Sequence, residues 1–158
     1  MTQFHPEWTV LNKGVNGQRT GGMLLRFEKD VVTENPSVVI VLGGVNDIYQ
    51  GRTPASVEKN LEAIYSLAEA KKIVPLAATI LPYDSAGPTE SAAIREVNSW
   101  IEAISISKDR LFCDTNLAVR DEKDPDLLSS SPDGLHPDVE GYRKMGEALT
   151  KTLERAGY

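Results

Sequence analysis

The run Ser37-Val-Val-Ile-Val-Leu-Gly-Gly-Val-Asn-Asp47 decides how this chain folds. Its first six residues are apolar or β-branched without alternation, the composition of a central parallel strand covered on both faces. Gly43 and Gly44 then let the backbone turn sharply as it leaves the sheet. Upstream, Pro36 marks the end of a helix that Thr20 caps and that runs to about Asn35, with Leu24, Phe27 and Val31 on one face. Before that helix lie a Gly/Asn-rich turn and a short strand candidate, Trp8–Leu11.

Downstream, Thr53-Pro54 gives an N-cap with proline at the first helical position, and Val57, Leu61, Ile64 and Leu67 recur at helical spacing. Ile73–Ile80 is the next strand and Leu81–Thr89 a loop. Thr89 or Glu90 opens a third helix with Ile94, Val97, Ile101 and Ile104 as its buried stripe. Arg110–Cys113 is the last strand and Ala118–Gly134 a long polar loop. The final helix, Val139–Ala156, uses Tyr142, Met145, Leu149 and Leu153. This βαβαβαβα order implies a parallel sheet with helices on both faces and a site at the carboxyl ends of the strands.

The chain has 158 residues, enough for one domain with a proper core, and its 41% hydrophobic and 25% charged content is ordinary for a globular protein. A net charge of −6 argues against a nucleic-acid binder, which needs a basic face. Cys113 is alone, so neither an internal disulfide nor a cysteine metal cluster can form; it reads as a small buried thiol. No apolar run reaches membrane-spanning length and Met1–Val10 lacks a signal-peptide core, so the cytoplasm is the default location.

Three runs carry chemistry. In Asp133-Gly134-Leu135-His136-Pro137, proline favours helix entry at Pro137 and holds His136 in the loop before it. Asp133, across a turn loosened by Gly134, can reach Nδ1 of His136, fix its tautomer and leave Nε2 free as a base. The alternative is an entry loop in which Asp133 only caps backbone. In Gly43–Asp47, the Asn46 amide can point a neutral N–H donor into the space above the glycines, as an oxyanion requires, while Asp47 ties the loop down. An ordinary Gly/Asn turn is the bland reading. In Asn12–Thr20, Gly17 lies near a helix start, where unpaired backbone N–H groups can donate to an anion. That run is neither a dinucleotide fingerprint nor a phosphate-binding loop.

In order and placement these blocks resemble the SGNH hydrolases, the GDSL-type lipases and esterases. The likeness runs from Val10-Leu-Asn-Lys-Gly-Val-Asn-Gly17 through Val39–Asp47 to Asp133-Gly-Leu-His-Pro137, and extends to Leu25-Arg-Phe27 and Ile80-Leu-Pro82. It implies a three-layer α/β/α sandwich with a flavodoxin-like parallel sheet, one domain over residues 1–158. It also implies Gly17 N–H and the Asn46 side chain as oxyanion donors and Asp133 and His136 as acid and base, with Gly43, Gly44 and Asp47 supporting the loop. The implied reaction is serine-dependent hydrolysis of small acyl esters or thioesters, without cofactor or metal. A catalytically degenerate module binding acyl or carbohydrate ligands is the alternative.

The family's first block, Gly-Asp-Ser after an opening strand, belongs upstream of Trp8, where only seven residues stand and none is serine. A strand with its crossover helix needs roughly 30 residues. Relative to the family the chain therefore reads as N-terminally truncated. Ser37 begins a strand, Ser56, Ser66 and Ser99 lie on helices, and Ser129–Ser131 sit just before the acid; none is identified as the nucleophile. In the family's sheet the opening strand lies between the next two. Without it, Trp8–Leu11 would face Ser37–Leu42 across about two strand spacings, or about 10 Å, which no backbone hydrogen bond spans. Such a gap implies that the chain is a fragment whose start lies upstream, that another chain or a rearranged segment fills the space, or that the first portion was dropped, and a gapped sheet favours self-association.

Overall fold

A computed structural model describes residues 5–158. Among them, β1 (Val38–Val41), β2 (Val74–Ala78) and β3 (Leu111–Cys113) form a parallel sheet in that order. The register pairs Val38 with Val74 and Leu76 with Leu111. Pro75 is tolerated in the middle strand because β3 pairs only from Leu76 onward, so the missing N–H falls where no acceptor waits.

Side-chain alternation sorts the sheet into two cores. Val41 and Ala77 face a layer built by α1 (Thr20–Asp30), α3 (Pro54–Ala70) and α4 (Pro88–Lys108), where Phe27, Leu61, Ile64, Val97 and Ile101 are buried. Val38, Ile40, Leu76 and Cys113 face α6 (Val139–Arg155), packing on Leu149 and Leu153. The result is the α/β/α sandwich that the alternating pattern implies. The helix caps are local: the Thr53 side chain accepts from Ser56 N–H, with Pro54 at the first helical position. None of these helices is long and apolar enough to cross a membrane.

Several expectations need correction. Trp8–Leu11 forms no strand; its only ladder neighbour would be β1, and the two are separated by an open groove, so its backbone stays unpaired. Correspondingly, Ser37–Leu42 supplies an edge strand, not a central one: only Val41 is buried there, and Leu42 is exposed. Thr20 is the first helical residue rather than the cap, which is Arg19, because Asp47 takes both the N–H and the hydroxyl of Thr20. α1 ends at Asp30, and a 3₁₀ turn, Val32–Glu34, carries the chain to a left-handed Asn35.

Gly87 caps α4, which starts at Pro88, one residue early, since proline needs no donor there. The long loop is interrupted at its start by α5 (Thr115–Val119), which Asp114 caps through Leu117 N–H. Asp138 caps α6, which starts at Val139 as its amphipathic pattern implies and not at Pro137. Tyr142 lies half-exposed, off the stripe that Met145, Leu149 and Leu153 bury. Short α2 (Val45–Tyr49) begins immediately after Gly44, whose φ of +131° and tight packing against Val57 and Ile80 suit only glycine.

Candidate active site

The loop before α6 builds an acid–base pair from six consecutive residues. Asp133 Oδ1 accepts from the N–H groups of Leu135 (2.9 Å) and His136 (2.8 Å), which folds the chain back over the carboxylate. The other oxygen, Oδ2, lies 2.8 Å from His136 Nδ1. A carboxylate there accepts a hydrogen bond from Nδ1–H, so the Nε2 lone pair faces outward, and no described residue pairs with it. The His136 hydrogen bond, followed by the two backbone N–H groups, holds the Asp133 carboxyl well below the usual carboxylate range. Both side chains are about half exposed (54% and 48%), so the imidazole is open to solvent.

One serine beside this pair is committed to the loop itself. The Ser131 hydroxyl accepts from Gly134 N–H at 2.8 Å and donates to the His136 carbonyl at 2.7 Å, locking the loop. The Ser130 carbonyl accepts from Asp138 N–H at 3.2 Å at the start of α6. Asp84, which sequence reasoning left inside a featureless loop, is the outside anchor. Its N–H donates to the Gly134 carbonyl at 2.7 Å, and its Oδ1 accepts from Leu128 N–H at 2.9 Å. The preceding segment is fixed by Asn98, whose amide pairs with both N–H and C=O of Ile80 like a passing strand. Only the Pro-Tyr-Asp turn composition at 82–84 hinted at either role.

The other two runs meet each other. Asn46 lies in the first turn of α2, not in an irregular loop, and one of its amide hydrogens is donated to the Gln18 carbonyl at 3.2 Å. The second hydrogen has no described partner. Gly17 stands one residue before Gln18, at φ +70°, with open space beside its Cα. Asp47, 2% exposed, accepts from Thr20 N–H and from the Thr20 hydroxyl, both at 2.8 Å, and Asn60 donates to that hydroxyl at 3.0 Å. The buried carboxylate thus welds the start of α1 to α2 and sets Gly17 and Asn46 side by side.

Strand direction places the pieces on one rim. The Gly43–Asp47 run follows β1 and Asp84 follows β2, both at carboxyl ends of a parallel sheet, and Asp84 holds the loop that carries the acid and the base. Tyr49, one helical turn beyond Asn46, lies edge-on to Tyr83 at 5.7 Å, linking the second run to the Asp84 segment. Cys113 is buried beneath the sheet, where desolvation pushes its thiol up.

Comparison with known proteins gives a consistent match. The model of the GDSL-like lipase/acylhydrolase family covers residues 2–144. The crystal structure of a GDSL-like lipase from Bacteroides thetaiotaomicron is 26% identical, with a TM-score of 0.85 over 98% of this chain and 82% of that one. The acetylxylan esterase of Geobacillus stearothermophilus is 25% identical over 156 residues, 91% of this chain and 71% of that protein. Its structure gives a TM-score of 0.80 over 99% of this chain and 77% of its own. Catalytic mutants of that esterase, one with a serine and one with a histidine replaced by alanine, have the same fold. An uncharacterized lipoprotein of Bacillus subtilis is 32% identical over 79 residues, 46% of this chain and 32% of that protein.

Proposed function

The chain belongs to the GDSL-like lipase/acylhydrolase family, and from that we propose that its site hydrolyses carboxylic esters of small acyl groups, with His136 as the proton carrier. The observation that carries this reading is the Asp133–His136 contact of 2.8 Å, which leaves Nε2 unpaired and open to solvent. Asp133 holds the ring in one tautomer and stabilises the imidazolium that forms when Nε2 accepts a proton.

Attack on the ester carbonyl moves an electron pair onto its oxygen. The N–H of Gly17 and the free amide hydrogen of Asn46 are neutral donors for that oxyanion. Collapse expels the alkoxide, which takes the proton from His136, and water deprotonated by the same nitrogen releases the acid. The nucleophile of the first step is a serine or water itself; the Ser131 hydroxyl is bound within the loop and is not assigned that role. Acetyl groups on carbohydrate hydroxyls are the first substrate class to try, by likeness to the acetylxylan esterase.

The test is hydrolysis of p-nitrophenyl acetate, with acetylated xylo-oligosaccharides alongside. Replacing His136 by alanine lowers kcat by about three orders of magnitude or more. Inactivation by a serine-directed phosphonate assigns the nucleophile to a serine; indifference to it assigns attack to water. Turnover that survives the His136→Ala change, or ligand binding without turnover of any acyl ester, overturns the proposal.

A further inference from the structure

A crevice of about 270 Å³ lies between α4 and the segment that follows α5. Its lining includes none of Gly17, Asn46, Asp133 and His136. Thr79 directly follows β2 and Asp114 directly follows β3, so its inner wall stands where two neighbouring parallel strands end. Hydrogen bonds fix that wall: the Thr79 hydroxyl donates to Asp114 Oδ1 and accepts from Asn116 N–H, both at 2.8 Å. The outer wall is fixed as well. Arg120 is bridged to Leu128, Asp121 Oδ1 accepts from the N–H groups of Lys123 and Asp124, and Asp126 pairs with Arg95 of α4. The crevice is thus built before anything enters it.

Four polar groups on its lining have unused capacity. Ser91 is 6% exposed and Asn116 7%, yet the Ser91 hydroxyl has no hydrogen-bond partner among the described residues. Neither has Asn116 Oδ1, although the amide nitrogen beside it donates to the Ile80 carbonyl at 3.0 Å. Among the described residues the fully occluded side-chain orphan is Tyr65 Oη, which does not line the crevice, so the Ser91 and Asn116 oxygens open into it. Asp114 Oδ2 is unpaired because the contacts from Thr79 and from Leu117 N–H both fall on Oδ1. The Arg120 guanidinium is the fourth group, and no described residue pairs with it. Polar groups this deep are normally paired, and here the pairing is left to whatever occupies the space.

These groups ask for a ligand that both donates and accepts. Arg120 only donates, Asp114 Oδ2 and Asn116 Oδ1 only accept, and Ser91 Oγ does either. A phosphate offers acceptors alone. It would meet three carboxylates, of Glu102, Asp114 and Asp126, against two guanidinium groups of which one is already paired. No group of three His, Cys, Asp or Glu side chains among the described residues is placed to hold a metal ion. A sugar hydroxyl donates and accepts from one atom, and Ile94, Phe112 and Pro125 offer apolar surface to the C–H faces of its ring. The volume falls just below the about 300 Å³ at which pockets for drug-sized ligands begin, which suits one ring.

We propose that this crevice is a binding site for a single neutral sugar ring, held by Ser91, Asp114, Asn116 and Arg120. It is separate from the acid–base pair, and the inference does not depend on the ester-hydrolase reading.

Titration of the whole chain with methyl β-D-xylopyranoside and methyl β-D-glucopyranoside, followed by NMR, tests it. Saturable shifts are expected at the Asn116 side-chain amide, at Ser91 N–H and at the Arg120 guanidinium. The Kd should be roughly 1–10 mM, the range open to a ligand of about a dozen non-hydrogen atoms. Ser91→Ala and Arg120→Gln leave the hydrogen bonds of the free protein in place, and each should weaken binding about fivefold or more. Cyclohexanol, with a six-membered ring and one hydroxyl, and inorganic phosphate should bind at least about tenfold more weakly than the glycosides. A response to phosphate as strong as to the glycosides would make this an anion site, and an equal response to cyclohexanol an apolar crevice; either overturns the inference. So does binding unchanged in both variants, a set of shifts confined to Gly17, Asn46 and His136, or no saturation with either glycoside.

Discussion

Replacing Asp47 by alanine should separate the two loops that carry Gly17 and Asn46, and its cost can be worked from four atoms. The carboxylate receives Thr20 N–H and Thr20 O–H, both at 2.8 Å. Hydrogen bonds to a charged acceptor contribute about 1.5–3 kcal/mol each, so the gross loss is roughly 3–6 kcal/mol. Release of a carboxylate that is buried offsets part of this, because its desolvation cost disappears with it. Thr20, however, is itself 0% exposed, and its orphaned N–H restores about 1–3 kcal/mol of penalty. A net destabilisation of about 3 kcal/mol follows, which for a domain of this size lowers Tm by roughly 6–12 °C. Asp47→Asn keeps one acceptor for the N–H and should cost about 1 kcal/mol. Equilibrium urea unfolding followed by circular dichroism measures both, and amide chemical shifts of Gly17 and Asn46 report the local displacement. An alanine variant within about 0.5 kcal/mol of the parent, with those shifts unmoved, would refute the weld.

Two further outcomes are expected. Gly44→Ala forces an L side chain into φ +131° with its Cβ 2.9 Å from Val57 Cγ1, and left-handed strain plus overpacking should cost about 3 kcal/mol; an unchanged urea midpoint would contradict this. His5 bonds Glu154 and Glu7, each at 2.8 Å, and these contacts raise its pKa above 6.5, Glu154 most. Its contribution to stability is therefore complete below about pH 6.5 and fades as pH rises through the raised value. In an NMR titration of the His5 ring, Glu154→Gln should bring the midpoint back toward 6.5, and a midpoint unaffected by that change would remove Glu154 as the cause.

Legibility in the sequence tracked the range of the interaction involved. Thr53-Pro54 announced α3 because a cap and its helix are neighbours in the chain, and Val97 and Ile101 fell on the buried face because the period of α4 is local. The i,i+3 reach from Asp133 to His136 was readable for the same reason. The five-residue helices α2 and α5 are too short to show a period, and the Asp114 cap alone could not distinguish a helix from a turn. Thr20 was misplaced as a cap because its true partner, Asp47, is 27 positions away. Asp84 escaped notice because its partners, Gly134 and Leu128, are joined to it only by the fold. The edge position of β1 is not legible in its own residues: they specify cover on both faces, and strand composition carries no information about whether a neighbour is present.

That division by range bears on how the candidate site can fail. The acid–base pair is assembled by residues 131–136 alone, through backbone and hydroxyl contacts that the sheet does not touch. Its outside tether is one turn, at Asp84. The two proposed oxyanion donors are different in kind, because Gly17 and Asn46 are neighbours only while Asp47 holds α1 against α2. Because hydrogen bonds from His136 and the loop backbone hold Asp133 ionised below the usual carboxylate range, falling pH leaves the pair oriented until the medium is strongly acid. Loosening of the α1–α2 weld should therefore remove oxyanion stabilisation, a term of about 2.7–4 kcal/mol per donor in a working hydrolase, while proton transfer by His136 persists. A chain in which the Asp133–His136 contact persists and esters are nonetheless left intact is the signature of that half-failure, and it points to Asp47 rather than to Asp133.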